Sequence, residues 1–156
     1  MLAVMLSFAP TAYVEAASTT SIYSAVKNAY GSEFPFSAGN EIKVAEKNAF
    51  GGYSKVLGVS TEDMKSYKVY RKADSQSQYI CFLCKAKEKS KVKAIKKTLK
   101  SFVAAEKKSN ENYYSSTGKE LISNAKIGSK KKYVYLFMID TSKNEKAVTA
   151  FQNAFH

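Results

Sequence analysis

The amino-acid sequence predicts an α+β fold: an antiparallel sheet of about four strands with helices packed on it, in the order β-β-α-α-β-β-α, preceded by two N-terminal helices. Three observations carry this. Residues 79–85 (YICFLCK) and 133–140 (YVYLFMID) are almost continuously apolar, so each has two apolar faces, the pattern of a central strand covered on both sides. Each follows a shorter strand pattern across a polar turn, which makes two hairpins. Each is followed by a segment with apolar residues at helical spacing. A chain of 156 residues has room for one domain with a core of its own. An apolar fraction of 45% excludes a disordered composition.

The elements follow in order. Residues 1–8 (MLAVMLSF) form an apolar run broken by Pro10 and Thr11, and Val14-Glu15-Ala16 puts small residues at the −3 and −1 positions of an export cleavage site. The run is shorter than the ~20 residues a bilayer span takes. Residues 1–17 are therefore expected to be a signal peptide and residues 18–156 the domain, although no Lys or Arg precedes the run. Thr19 or Thr20 caps a first helix whose inner face is Ile22, Ala25, Val26 and Ala29, and Gly31 stops it. Asn40 is expected to cap a second helix through Asn48, ended by Gly51-Gly52. Ser60 to Asp63 predicts one helical turn.

Residues 67–71 alternate, with Tyr67, Val69 and Arg71 on one side and Lys68 and Tyr70 on the other, as in a half-buried edge strand guarded by Lys. Residues 79–85 pair back onto it. Ser90 is expected to cap a helix over 91–108 with three sides. Val92, Ile95, Leu99, Phe102 and Val103 form an apolar stripe. Ala94, Thr98, Ser101 and Ala105 form a small-residue flank that another backbone can approach. Lys93, Lys96, Lys97, Lys100, Lys107 and Lys108 form a flank with no acid in it. Thr117-Gly118-Lys119-Glu120 predicts a capping box for a short helix. Residues 125–128 form a short strand, and 129–132 a turn holding Lys130, Lys131 and Lys132. After the strand at 133–140, Ser142 and Glu145 predict a capping box for a last helix that buries Ala147, Val148, Phe151 and Phe155.

The net charge of +12 comes from 25 basic and 13 acidic residues, and Arg71 is the only arginine. Specific phosphate and base recognition favours the planar arginine fork. A lysine surface suits diffuse attraction to a polyanion, and its competing explanation is a solvated coat. Lys93, Lys96, Lys97, Lys100, Lys130, Lys131 and Lys132 are the candidate anion-binding residues. The expected partner is an anionic cell-wall polymer or membrane surface, with nucleic acid as the second choice.

Catalytic signals are weak. Cys81 and Cys84 have redox or zinc spacing, but inside a strand residues three apart point to opposite faces with Cα atoms ~10 Å apart. A disulfide needs less than ~7 Å, so two buried thiols, no disulfide and no metal are expected. The only His is His156, at the last position, which leaves no internal base for a Ser or Cys nucleophile. Glu62-Asp63, Asp74 and Asp140 are the candidates for a carboxylate site, and each also fits a cap or a turn. Tyr113 and Tyr114 sit in a loop and read as packing more than as a sugar platform. No cofactor is implied. The sequence thus favours a non-catalytic module, with an enzyme using an unrecognised carboxylate site as the remaining class.

One resemblance adds to this. Val56-Leu57-Gly58-Val59, Met64-x-x-Tyr67, residues 79–87, Asn112-Tyr113-Tyr114, residues 121–127 and residues 132–136 together resemble the DUF4358 family over roughly residues 20–155. The resemblance implies a single α+β domain exported to the surface of Gram-positive bacteria. It brings no active-site residues. Lipoprotein members carry an acylated Cys after the signal peptide, whereas no Cys precedes Cys81 here, so free secretion or retention by charge is expected.

Overall fold

Strands that are apolar on both faces need two covering layers, and the computed structural model, which describes residues 17–42, 55–73, 77–109 and 115–155, has them. A four-stranded antiparallel sheet lies in the order β3-β4-β6-β5, with β3 at Met64–Ala73, β4 at Gln78–Ala86, β5 at Lys126–Lys130 and β6 at Tyr133–Met138. The central strands β4 and β6 are the two apolar segments. One face is covered by helices α2 (Lys91–Ser109) and α3 (Ser116–Ser123) and by a small hairpin of β1 (Lys55–Val56) and β2 (Val59–Ser60). The other is covered by α1 (Thr19–Tyr30) and α4 (Glu145–Asn153), which pack on each other. Both β4–β6 and β6–β5 are antiparallel, so β4 and β5 run the same way with β6 between them. The α2–α3 segment is the crossover that such a parallel relation requires.

The register sorts the core by face. Val69, Phe82, Leu136 and Ile127 stand in one row beneath α2. Tyr70, Cys81 and Phe137 stand in a row on the opposite face. The second face is rich in aromatics. Tyr23 of α1 stacks on Tyr70 with ring centroids 4.3 Å apart, Tyr135 stacks on Phe137 at 4.6 Å, and Phe151 of α4 packs across Tyr135.

Several ends differ from their sequence-based expectations. Ser18, not Thr19 or Thr20, caps α1, in a reciprocal capping box with Ser21. Gly31 ends that helix with φ 57°, as glycine allows. Of the two expected N-terminal helices, only α1 falls among the described residues. Asn40 does not open a helix: its Oδ1 accepts from Ser37 N at 2.8 Å and closes a 3-10 turn at Ala38–Asn40. Glu41 then bridges to Tyr70, and Ile42 N donates to Val69 O at 2.8 Å. A side chain competing for nearby backbone donors won over helix capping there, and the extended segment pairs with the outer edge of β3 at Val69 and Tyr70. Residues 43–48 lie outside the described residues. Ser115 caps α3 by accepting from Gly118 N, two residues earlier than the expected Thr117 box. At α4, Ser142 does not form its capping box. The Asp140 carboxylate instead accepts from Ser142 N at 2.7 Å and Lys143 N at 2.8 Å.

Asn144 holds this corner together. It is fully buried. Its Oδ1 accepts from Ile139 N and Asp140 N, both at 3.1 Å. Its Nδ2 donates to Asn124 O at 2.8 Å and Asp140 O at 3.0 Å. Four hydrogen bonds satisfy this buried amide and tie α3, the end of β6 and α4 to one point.

Two backbone positions make sharp predictions. In the β1–β2 turn, Leu57 has φ 50° and Gly58 φ 79°, the signature of a type I′ turn. Leucine pays a strain of roughly 1 kcal/mol there, and its side chain is buried in the core beneath α2. Leu57→Ala should therefore destabilise by about 2–4 kcal/mol. Leu57→Gly should cost about 1 kcal/mol less than Leu57→Ala, the reverse of the usual order, because glycine accepts the left-handed backbone. Urea unfolding of the pair checks this. Gly128 pairs with Tyr135 across β5–β6, and the hydroxyl end of the Tyr135 ring lies against it, so that a Cβ at Gly128 would sit 2.8 Å from Tyr135 Cε1 and closer still to Cζ and the hydroxyl oxygen. Gly128→Ala should destabilise by about 1–3 kcal/mol, and the double variant with Tyr135→Ala should cost less than the sum of the two singles. Thermal melts of the four proteins in the cycle measure it.

Candidate anion-binding surface

Helix α2 has the three sides expected of it. Ile95 and Leu99 are buried, with Val92, Phe102 and Val103 half-buried beside them. Among the described residues the small-residue flank receives a backbone at Thr98: a Cβ at Gly58 would lie 3.2 Å from Thr98 Cγ2, so the β1–β2 turn rests there. Ala94, Ser101 and Ala105 are exposed. The lysine flank borders a groove of about 570 Å3, lined by Lys89, Val92, Lys93, Lys96, Lys97 and Lys100 on the helix side and by Ser129 and Lys131 on the sheet side.

The position of Lys131 follows from how β5 ends. Residues 129–132 were expected to form a turn, but Ser129 and Lys130 still pair with β6, and only Lys131 and Lys132 form the turn. Strand alternation then separates the three lysines. Lys130 points to the α4 face, where its Nζ donates to Gln152 O at 2.7 Å and lies 5.3 Å from the Phe155 ring centroid. Lys132 Nζ donates to Lys87 O at 3.3 Å at the end of the sheet. Lys131 reaches the groove and has φ 54°, a left-handed backbone that lysine adopts only under strain. Of the seven candidate lysines, five thus line one groove and two diverge from it.

Sequence reasoning missed a second basic cluster. Lys65 at the start of β3, Lys85 and Lys87 at the end of β4, and Lys131 and Lys132 surround a hollow of about 400 Å3 with Ala17, Ala86, Tyr133 and Phe155. These lysines are scattered through the sequence, and only strand pairing brings them to one end of the sheet. Lys131 belongs to both groups. Four ion pairs form among the described residues: Lys68–Glu41, Lys91–Asp63, Lys126–Glu145 and Lys146–Glu33. None of them uses a lysine of the groove or of the hollow.

Cys81 and Cys84 are free and buried on opposite faces of β4. Burial raises both thiols, Cys84 to about 12, so neither is a thiolate at neutral pH. Asp63 pairs with Lys91 at 3.0 Å. Burial pushes the Asp140 carboxyl up, but hydrogen bonds from Ser142 and Lys143 outweigh it and hold Asp140 below the usual carboxylate range. That is the chemistry of a turn acceptor. Two further hollows, of about 540 and 590 Å3, flank α4 and share Glu145 as their one carboxylate. Among the described residues no three His, Cys, Asp or Glu side chains gather as metal ligands. Asp74, Tyr113, Tyr114 and His156 lie outside the described residues.

A family model described as a domain of unknown function, DUF4358, matches residues 42–139. The matched segment runs from Ile42, next to the bridge at Glu41, to just past the end of β6, so it contains the whole sheet, the α2–α3 layer and the groove. No curated protein and no solved structure matches the chain. The family match covers well over half of the sequence and includes the Val56–Val59 turn, the β3–β4 hairpin and the β5–β6 hairpin, and on that basis this chain belongs to the DUF4358 family.

Proposed function

We propose that this protein is a non-catalytic exported module of the cell surface that associates electrostatically with an anionic wall polymer or membrane. Residues 1–17 serve as the export signal in this reading and residues 18–156 as the binding domain. The observation that carries it is the groove. Lys93, Lys96, Lys97 and Lys100 on α2 and Lys131 on a turn some thirty residues away converge on one surface, and no carboxylate is paired with any of them among the described residues. Charges left unpaired at close range repel one another, and a bound polyanion relieves that repulsion. Lys93 to Lys100 covers about 10 Å of helix at 1.5 Å per residue, a length suited to following an extended charged chain. Duplex DNA is the second reading for the same lysines. It is disfavoured because base and phosphate recognition leans on arginine, and the one arginine, Arg71, is on the far edge strand. No described helix is long and apolar enough to cross a membrane.

Titration of the purified protein against teichoic acid, duplex DNA and anionic vesicles at low and high salt tests this. Tightest binding to the wall polymer is expected, with affinity falling steeply as salt rises. The double variant Lys93→Gln/Lys97→Gln should flatten the slope of log affinity against log salt by about 1–2. Binding to none of the three in a salt-sensitive manner would sink the proposal. Lys131 gives a second check. Lys131→Asn removes a charge from the groove and places a residue that tolerates φ 54° in the turn. It should raise stability by about 0.5–1 kcal/mol while weakening polymer binding. A drop in stability would contradict the strain, and unchanged binding would remove Lys131 from the site.

A further inference from the structure

The hollow at the end of the sheet is a different kind of place from the groove. The groove is long and borders one helix. The hollow is compact, and lysines enter it from β3, β4 and the β5–β6 turn. Lys65, Lys85, Lys87, Lys131 and Lys132 surround about 400 Å3, and among the described residues no acidic side chain lines it. Its floor is apolar: Ala86, Tyr133 and Phe155. The floor is also held in place. Within residues 18–156, the Tyr133 and Phe155 rings meet edge to face with centroids 5.1 Å apart.

Two of the lysines lean on this floor. Lys85 Nζ is 5.1 Å from the Tyr133 centroid and Lys131 Nζ is 5.7 Å from the Phe155 centroid. A ring face attracts an ammonium without neutralising it, so the positive charge stays available to an anion. Lys132 Nζ donates to Lys87 O at 3.3 Å, which draws the two lysine-bearing segments together. Lysine supplies compact, mobile donors that can gather around a group with several charged oxygens in no fixed plane. A ring beside such a cluster gives a carbon skeleton something to lie against.

From this geometry we propose that the hollow is a binding site for a compact phosphate ester carrying several negative charges. The phosphate oxygens are held by Lys65, Lys85, Lys87 and Lys132, and the organic part lies over Tyr133 and Phe155. The ligand is either the headgroup of an anionic lipid or a soluble phosphate ester, since both present the same group. This site does not depend on the groove or on its polymer.

The test uses the full domain and two variants of exposed lysines. Lys65→Gln/Lys87→Gln alters only the hollow, and Lys93→Gln/Lys97→Gln alters only the groove. Inorganic tripolyphosphate is titrated by calorimetry, and vesicles of phosphatidic acid, whose headgroup is a phosphate monoester, in phosphatidylcholine are followed by co-sedimentation, at physiological ionic strength. Melting curves without ligand check that both variants are folded. The hollow variant is expected to lose about five-fold or more in tripolyphosphate affinity, with the groove variant within about two-fold of the unaltered protein. Tripolyphosphate should raise the melting temperature of the unaltered protein and of the groove variant but not of the hollow variant. Vesicle binding that tripolyphosphate displaces and the hollow variant lacks identifies a lipid headgroup. Tripolyphosphate binding without vesicle binding identifies a soluble ester. Equal weakening in both variants, or no binding of either probe, overturns the site. The groove proposal is judged separately, because the hollow variant keeps every lysine of the groove.

Discussion

Strands β4 and β6 carry large apolar side chains on both faces, and the rest of the fold follows from keeping water away from the second face. Ile80, Phe82, Cys84, Val134, Leu136 and Met138 point toward α2, while Cys81, Leu83, Tyr133, Tyr135 and Phe137 point toward α1 and α4. At ~25 cal/mol per Å2 of apolar surface, leaving either set exposed would forfeit most of the stability a domain of this size has. The family match at residues 42–139 covers the sheet and one of the two layers. Helices α1 and α4 lie outside it, one before and one after, and pack on each other over the remaining face. Aromatic stacking there sets a demand on the backbone: the Tyr135 ring needs a glycine beneath it, and Gly128 supplies it.

Burying two faces of a small sheet leaves few places for charge. Among the described residues, most lysines are driven to helix flanks, strand ends and turns. Four of them are paired with carboxylates in the ion pairs described. The groove and the hollow collect lysines without such partners among the described residues, and Lys131 stands at their junction on a strained backbone. Exposed ion pairs contribute little to stability, so the pairing of Lys126 or Lys146 matters little for the fold. An uncompensated cluster is a different matter. It lowers stability through self-repulsion and raises affinity for anions by the same physics.

The corner built on Asn144 shows the opposite use of polar groups. Its amide is sealed from water, with all four hydrogen bonds made to backbone. Removing any one partner would leave a buried polar atom unsatisfied, which costs more than the bond itself contributes. The corner is therefore rigid, and it fixes where β6 hands over to α4. That in turn places Phe151 and Phe155 against Tyr135 and Tyr133. Phe155 reaches the floor of the hollow only because α4 starts where Asn144 puts it.

Local pattern by itself determined the two-faced strands, the edge character of β3, the three-sided helix α2 and the separation of Cys81 from Cys84, because each depends on a period of 2 or 3.6 residues read along one segment. The caps at Ser18 and Ser115 were harder to read. Several Ser, Thr and Asn compete at each helix start, and the winner depends on which backbone donors the packed structure leaves open. The same competition turned Asn40 away from a helix. What only tertiary structure decided is the grouping of charge. The lysine flank of α2 was legible, but its meeting with Lys131 depends on the extra strand residues Ser129 and Lys130, whose alternation sends Lys130 to the other face. The hollow was invisible to sequence reading because Lys65, Lys85, Lys87 and Lys132 become neighbours through strand register alone, and register is a property of the paired sheet.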